Sequence, residues 1–181
     1  MVRAGARTDA TGWRPAPVPL PAEMPPGDTT ADLRAVLAAM AAGPRLAPGV
    51  SVDWQLPAHA LWVAMAPGGL AQALGRLLAL AAELLAPAGG VLRVHARAEG
   101  STAAVSVVDE PADRQPPVLA RRVHGFSQAV HPERDAALRP LAECAQAIDA
   151  HRGRLYAAPS AWGAMGATLR LPLAPSVKEQ A

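Results

Sequence analysis

The sequence predicts a two-layer α/β (α+β) sandwich: a mixed, mostly antiparallel sheet covered on one face by about three helices. Three observations point there. The order of elements reads helix, strand, strand, long helix, strand, strand, loop, helix, strand, strand. The strands come in neighbouring pairs, as hairpins do, and not singly between helices. The chain has 181 residues, 51% of them apolar, and no internal repeat, which is enough for one core and suggests one domain.

Each element has its own justification. Residues 1–28 carry six of the nineteen prolines and no helical or strand period, so they read as a flexible or polyproline-like arm. Thr29-Thr-Ala-Asp32 matches a helix-start box, Leu33, Val36, Leu37 and Met40 follow on one face, and Gly43-Pro44 ends the run. Val50–Leu56 alternates with period two as a half-buried strand, and Ala60–Met65 is a short apolar strand. Pro67-Gly-Gly opens a long helix over 70–86, with Leu70, Leu74, Leu77, Leu78, Ala81, Leu84 and Leu85 in a wide apolar stripe. Gly89-Gly90 stops it. Val91–Ala98 and Thr102–Asp109 form a hairpin about Glu99-Gly-Ser101. Residues 110–134 read as loop. Helix three lies within 135–150 and starts near Arg139, because Pro140 is tolerated only in a first turn. Arg154–Ala157 and Ala167–Leu173 are the last strands, and residues 174–181 form a tail. The domain therefore spans 29–173.

Composition excludes several functions. A net charge of +2 is too small for a nucleic-acid footprint. Cys144 is the single cysteine, so no intramolecular disulfide or Cys-based zinc site forms. The five histidines (59, 95, 124, 131, 151) lack metal-ligand spacing, and no metal site is expected. Cys144 shares a helix face with Leu141 and Ile148 and reads as a buried thiol. No G-x-S-x-G elbow accompanies any serine, and no catalytic residue is assigned. The opening residues hold no apolar signal core, and the run Leu70–Ala86 is short and interrupted by Gln72, Arg76 and Glu83. A cytoplasmic protein with no membrane contact is expected. Trp54 and Trp62 fall in strands, whereas Trp162 falls in a turn and is expected at the surface.

Four segments carry a family resemblance. Leu70-Ala-Gln-Ala-Leu-Gly-Arg-Leu-Leu-Ala-Leu-Ala-Ala-Glu-Leu-Leu-Ala-Pro-Ala-Gly-Gly90 and the strand after it resemble the N-box helix of histidine-kinase catalytic domains. Val105-Ser-Val-Val-Asp109 stands where those domains have V-x-V-x-D-x-G-x-G. Leu141–Tyr156, with His151-Arg-Gly153, is similar to their G-L-A-I…H-G-G-x-I segment. Gly163 and Gly166-Ala-Thr-Leu-Arg-Leu-Pro-Leu173 resemble the closing G-x-G-T-x-F-x-x-x-L-P. The match is collinear over about residues 31–173 and implies the GHKL-type (Bergerat) ATP-binding sandwich.

The resemblance also implies where nucleotide contacts would fall. The N-box positions correspond to Arg76, Leu80 and Glu83 (or Leu84), which share a helix face. Magnesium takes oxygen ligands, and Leu80 has none. Pro111 and Asp113 stand at the first glycine pair, Leu138 and Pro140 at the next, and Thr168 in the closing motif. Proline has no N–H to offer a phosphate, and Asp113 would repel one. Asp109 keeps the carboxylate that the family aims at the adenine amino group. Arg76, a long cation where a ligand oxygen is expected, should fill part of the base and metal region and pair with Asp109 or Glu83. His151 corresponds to the family's H-G-G histidine and should close its helix on backbone carbonyls. No histidine stands on a long upstream helix as a phosphoacceptor.

Three functions follow. The first is a degenerate, histidine-kinase-like domain that acts in two-component-type signalling by binding or regulating a protein, with weak or no ATP binding and no cofactor. The second is a divergent but working module that binds ATP and magnesium and phosphorylates a partner in trans. The third is a structural interaction domain outside such signalling. A response regulator or a kinase dimerisation domain is the partner the resemblance suggests, and the basic tint of 114–139 would suit an acidic regulator.

Overall fold

The computed structural model describes residues 29–44 and 46–174. The Pro-rich arm and all of the tail after Ala174 lie outside the described residues. The first helix, α1 (Leu33–Ala41), follows a two-residue strand, β1 (Ala31–Asp32), which pairs antiparallel with β3 (Trp62–Val63). The helix-start box is therefore displaced: the cap is Asp32, not Thr29. Its carboxylate accepts the N–H of Arg34 at 2.9 Å and of Leu61 at 3.1 Å, so one side chain both starts α1 and ties it to β3.

The main sheet has five strands in the order β2-β4-β5-β7-β6. They are β2 (Val50–Gln55), β4 (Gly90–Glu99), β5 (Thr102–Pro111), β6 (Arg154–Pro159) and β7 (Met165–Pro172). Only β2 and β4 run parallel; the other pairings are antiparallel. That parallel step needs a crossover, and α2 (Pro67–Leu85) supplies it. The mixed, mostly antiparallel sheet agrees with expectation.

Alternation along the strands sorts the two faces. Leu92, Val94, Ala96, Val105, Val107, Leu169 and Leu171 are buried on the face toward the helices. Arg93, His95, Arg97, Ser106, Thr168 and Arg170 take the other face. On α2, Leu70, Leu74, Leu77, Leu78, Ala81 and Leu85 are each at most 1% exposed. Each such leucine contributes roughly 2 kcal/mol by leaving water. The helix starts at Pro67, whose missing N–H costs nothing at a first position. At 19 residues it is, by length and composition, long and apolar enough to cross a bilayer, so the sequence-based reading of it as too short is corrected. Its stripe instead packs in the core with α1, α4 and the sheet. Gly90 makes the stop after it: at φ 141° a Cβ there would lie 2.2 Å from the Glu110 carbonyl oxygen.

Helix α4 (Arg139–Asp149) begins where Pro140 predicts. The expected loop 110–134 is corrected. It holds a fourth helix, α3 (Leu119–Gln128), and a short 3₁₀ turn at Pro132–Arg134. Helix α3 packs against β6 and β7.

Candidate functional site

Asp109 ends the buried run of β5, opposite Leu92 and on the helical side of the sheet. It is 1% exposed. Its Oδ2 accepts the N–H of Val118 at 2.6 Å, and both carboxylate oxygens lie 3.3 Å from the N–H of Leu119. These are first-turn donors of α3, whose N-cap residue, Val118, provides no side-chain cap. Asp109 is thus a cap reaching in from a neighbouring strand, with its charge beside the positive end of the helix dipole.

The segment between them leaves few groups for a ligand. Ala112 N–H donates to Gly89 O at 3.0 Å, Arg114 N–H to Pro111 O at 3.1 Å, and Gln115 N–H to the Asp113 carboxylate at 3.1 Å. Pro116 and Pro117 have no N–H. With Val118 and Leu119 held by Asp109, only Asp113 keeps an unengaged N–H between Ala112 and Leu119 among the described residues. Arg114 turns the chain at φ 60°. A phosphate cradle needs several backbone donors converging on one point, and here they converge on the protein's own oxygens.

Helices α2 and α4 form the neighbouring wall. Arg76 Nε lies 3.4 Å from Glu143 Oε2 of α4, and both side chains are partly in solvent. Leu80 is 7% exposed and joins the core, while Glu83 is exposed. The Cys144 thiol is buried and donates to Ala73 O at 3.4 Å, and burial pushes its pKa up to about 12 against the opposing pull of Arg76. Leu138 is the half-buried N-cap residue of α4, without a side-chain cap, and Pro140 sits in the first turn. Thr168 is buried on the far face of the sheet, its Oγ1 3.3 Å from Ser106 Oγ.

No family model and no curated protein matches this chain. Solved structures do. The ATP-binding domain of PrrB from Mycobacterium tuberculosis is 21% identical, with a TM-score of 0.60 over 81% of this chain and 98% of that one. A nucleotide-free catalytic domain of the histidine kinase ThkA is 17% identical, with a TM-score of 0.58 over 82% and 98% of the two chains. The mycobacterial sensor histidine kinase MprB is 18% identical, with a TM-score of 0.54 over 81% and 97%. The fold is that of a histidine-kinase catalytic domain.

Within this histidine-kinase fold, several expectations about individual residues need correction. Arg76 pairs with neither Asp109 nor Glu83. Helix α4 lies along α2 and presents Glu143, while the oxygens of Asp109 are held by α3. Thr168 is not gathered with Asp109 either: the register with Ser106 places it on the opposite face. The basic residues Arg121, Arg122 and His124 belong to a helix and not a loop. Trp162 is half-covered, its ring edge-on to His95 at 5.6 Å with the Arg93 guanidinium at 5.8 Å. Other expectations hold: Cys144 is a core thiol, and His151 Nδ1 bonds Ala147 O at 2.9 Å at the end of α4.

The donors of Val118 and Leu119 are the feature that sequence reasoning missed. Their signal was present, since Leu119, Ala120, Val123 and Phe126 lie at i, i+1, i+4 and i+7 directly after Pro116-Pro117.

Proposed function

We propose that this chain is a degenerate histidine-kinase-fold domain that works in two-component-type signal transduction by binding a protein, with weak or no ATP binding. A response regulator or a kinase dimerisation domain in the cytoplasm is its partner class in this reading. The observation that carries it is the carboxylate of Asp109, buried and occupied by the N–H groups of Val118 and Leu119. Asp109 is 1% exposed, so an adenine amino group could reach it only by moving the segment that covers it. Any movement that pulled α3 off its cap would leave two buried donors unpaired at roughly 1–3 kcal/mol each. Leu80 and the self-satisfied turn 111–115 support the same reading, because they supply neither a magnesium ligand nor a set of free phosphate donors. Mg-nucleotide therefore does not fit the residues present.

Calorimetric titration with Mg-ATP, beside a thermal-shift scan, tests this. The expected outcome is no saturable heat and no shift in Tm. A ligand at 100 times its Kd adds about 2.7 kcal/mol, which raises Tm by roughly 5–10 °C for a domain of this size. A rise of that kind would establish the working kinase module instead.

A further inference from the structure

At the opposite end of β5 from Asp109 lies a cleft of about 760 Å³ beside the edge strand β6. Thr102 lines it, and Asp109 stands seven residues further on, roughly 23 Å away at the rise of a strand. Its apolar wall includes Phe126 and Leu155, and its cations are Arg152, Arg154 and Arg170. The register stacks Arg97, Ala104, Arg170 and Arg154 side by side across four strands. Arg154 and Arg170 are directly opposite, a like-charge pair that weakens a sheet. Glu99 serves both Arg97 and Arg170. Among the described residues, neither Arg152 nor Arg154 has an acidic partner. Asp149 is the one acid lining the cleft, so cations remain in excess there.

Among the described residues no strand pairs with the outer edge of β6. Ser160 N–H donates to Ala164 O, which sets the bonding phase of the β6–β7 ladder. By alternation, Arg154, Tyr156 and Ala158 bond inward, while the N–H and C=O of Leu155 and Ala157 point outward. Pro159 closes the far end by removing a donor. Two of the aromatic rings nearby have neighbours already: the Arg170 guanidinium lies 5.7 Å from the Tyr156 centroid, and Trp162 meets Arg93 and His95. Among the described residues Phe126 is the remaining ring of the cleft, and one half-buried ring cannot stack successive nucleobases, so the surface suits a peptide better than a single-stranded nucleic acid.

We propose that this edge docks an extended acidic segment of a partner protein, added as a strand to β6 through Leu155 and Ala157. Successive side chains of an added strand face opposite ways. One set of the segment's side chains, carboxylates, meets Arg154 and Arg152, and the other set, apolar, rests on the wall at Phe126. The proposal rests on the reading that the chain works by binding, and names where.

The test is an amide NMR titration of the chain, without nucleotide, using a capped peptide of alternating Glu and Val. Saturable shifts are expected at residues 153–157, with slowed hydrogen exchange at Leu155 and Ala157. A peptide with Lys in place of Glu should give none. The double variant Arg152→Glu, Arg154→Glu should bind at least about tenfold more weakly while its other amide signals stay in place. No shifts at β6, equal shifts with the Lys peptide, or tighter binding of an oligothymidine at these residues would overturn the docking site. Any of these leaves the Mg-ATP result intact, and ATP binding in the calorimeter leaves this titration intact.

Discussion

Asp109 shows how a carboxylate on one strand can cap a helix nine residues further along the chain. A buried carboxylate on two backbone donors makes charge-assisted hydrogen bonds, which are about twice as strong as neutral ones. Asp109→Ala strands the Val118 and Leu119 N–H groups and should lower stability by about 3 kcal/mol. Asp109→Asn keeps one acceptor and should lose about half as much. Urea unfolding measures both, and a loss below about 0.5 kcal/mol for the alanine variant would remove Asp109 as the cap. Two surface groups set the response to pH. Burial, helped by Arg97, holds the His95 imidazole below its ordinary 6.5, with Glu99 opposing. The hydrogen bond from Arg97 holds Glu99 below its ordinary 4.5, assisted by Arg170. Both folded-state values are depressed, so each contribution is present above the ordinary value and is lost as pH falls through the folded one. The urea midpoint should therefore decline in two steps, one starting near pH 6.5 and one near 4.5. Glu99→Gln should flatten the second step and deepen the first, because it also removes the charge that opposes the depression of His95.

Among the elements, α2 and α3 mark the two ends of legibility. Helix α2 announces itself through a leucine stripe that needs no knowledge of its neighbours. Pro140 likewise dates the start of α4 to within a residue. The apolar stripe of α3 is narrow, interrupted by Gly125 and flanked by Arg121, Arg122 and His124, and its cap lies nine residues upstream in another element. Strands β1 and β3 are two residues each, too short for any period to show, and only β3 could be read, through the apolar run Ala60–Met65 around it. Helical glycines give this scale its prediction. A Cβ at Gly75 in α2 or at Gly125 in α3 would meet no atom within 4 Å. Alanine is favoured over glycine inside a helix by about 1 kcal/mol, so Gly75→Ala and Gly125→Ala should each raise Tm by about 2–4 °C in a thermal scan. Gly166→Ala should do the reverse, because its Cβ would lie 2.5 Å from the Val107 carbonyl oxygen.

At the scale of the molecule, the core and the site answer to different parts of the sequence. The core is summed over some thirty buried residues and tolerates exchanges among apolar types, so the sandwich was readable from pattern alone. The site depends on a few groups whose neighbours are distant in sequence. Leu80, Pro111 and Pro140 could be judged singly from what their side chains lack. The partner of Arg76 could not, since Glu143 is reached only after α4 folds back along α2. One contiguous core also makes a kinetic and thermodynamic claim. Helices α1, α2, α3 and α4 and the inner sheet face all contribute to the same buried cluster, and β1 and β3 enter it through Ala31 and Val63. Among the described residues no element has a separate core on which to remain folded, so their unfolding should be all-or-none. Trp54 sits in β2, Trp62 in β3 and Trp162 in the β6–β7 turn, which spreads fluorescence reporters over the sheet's edge, the small sheet and the open face. Urea transitions followed by tryptophan fluorescence and by far-ultraviolet circular dichroism should coincide, with one slope in the range of about 1–3 kcal/mol/M. A fluorescence change that precedes the loss of helix signal would mean that the β1–β3 pair or the Trp162 turn opens independently, and the single-core account would then fail at that junction.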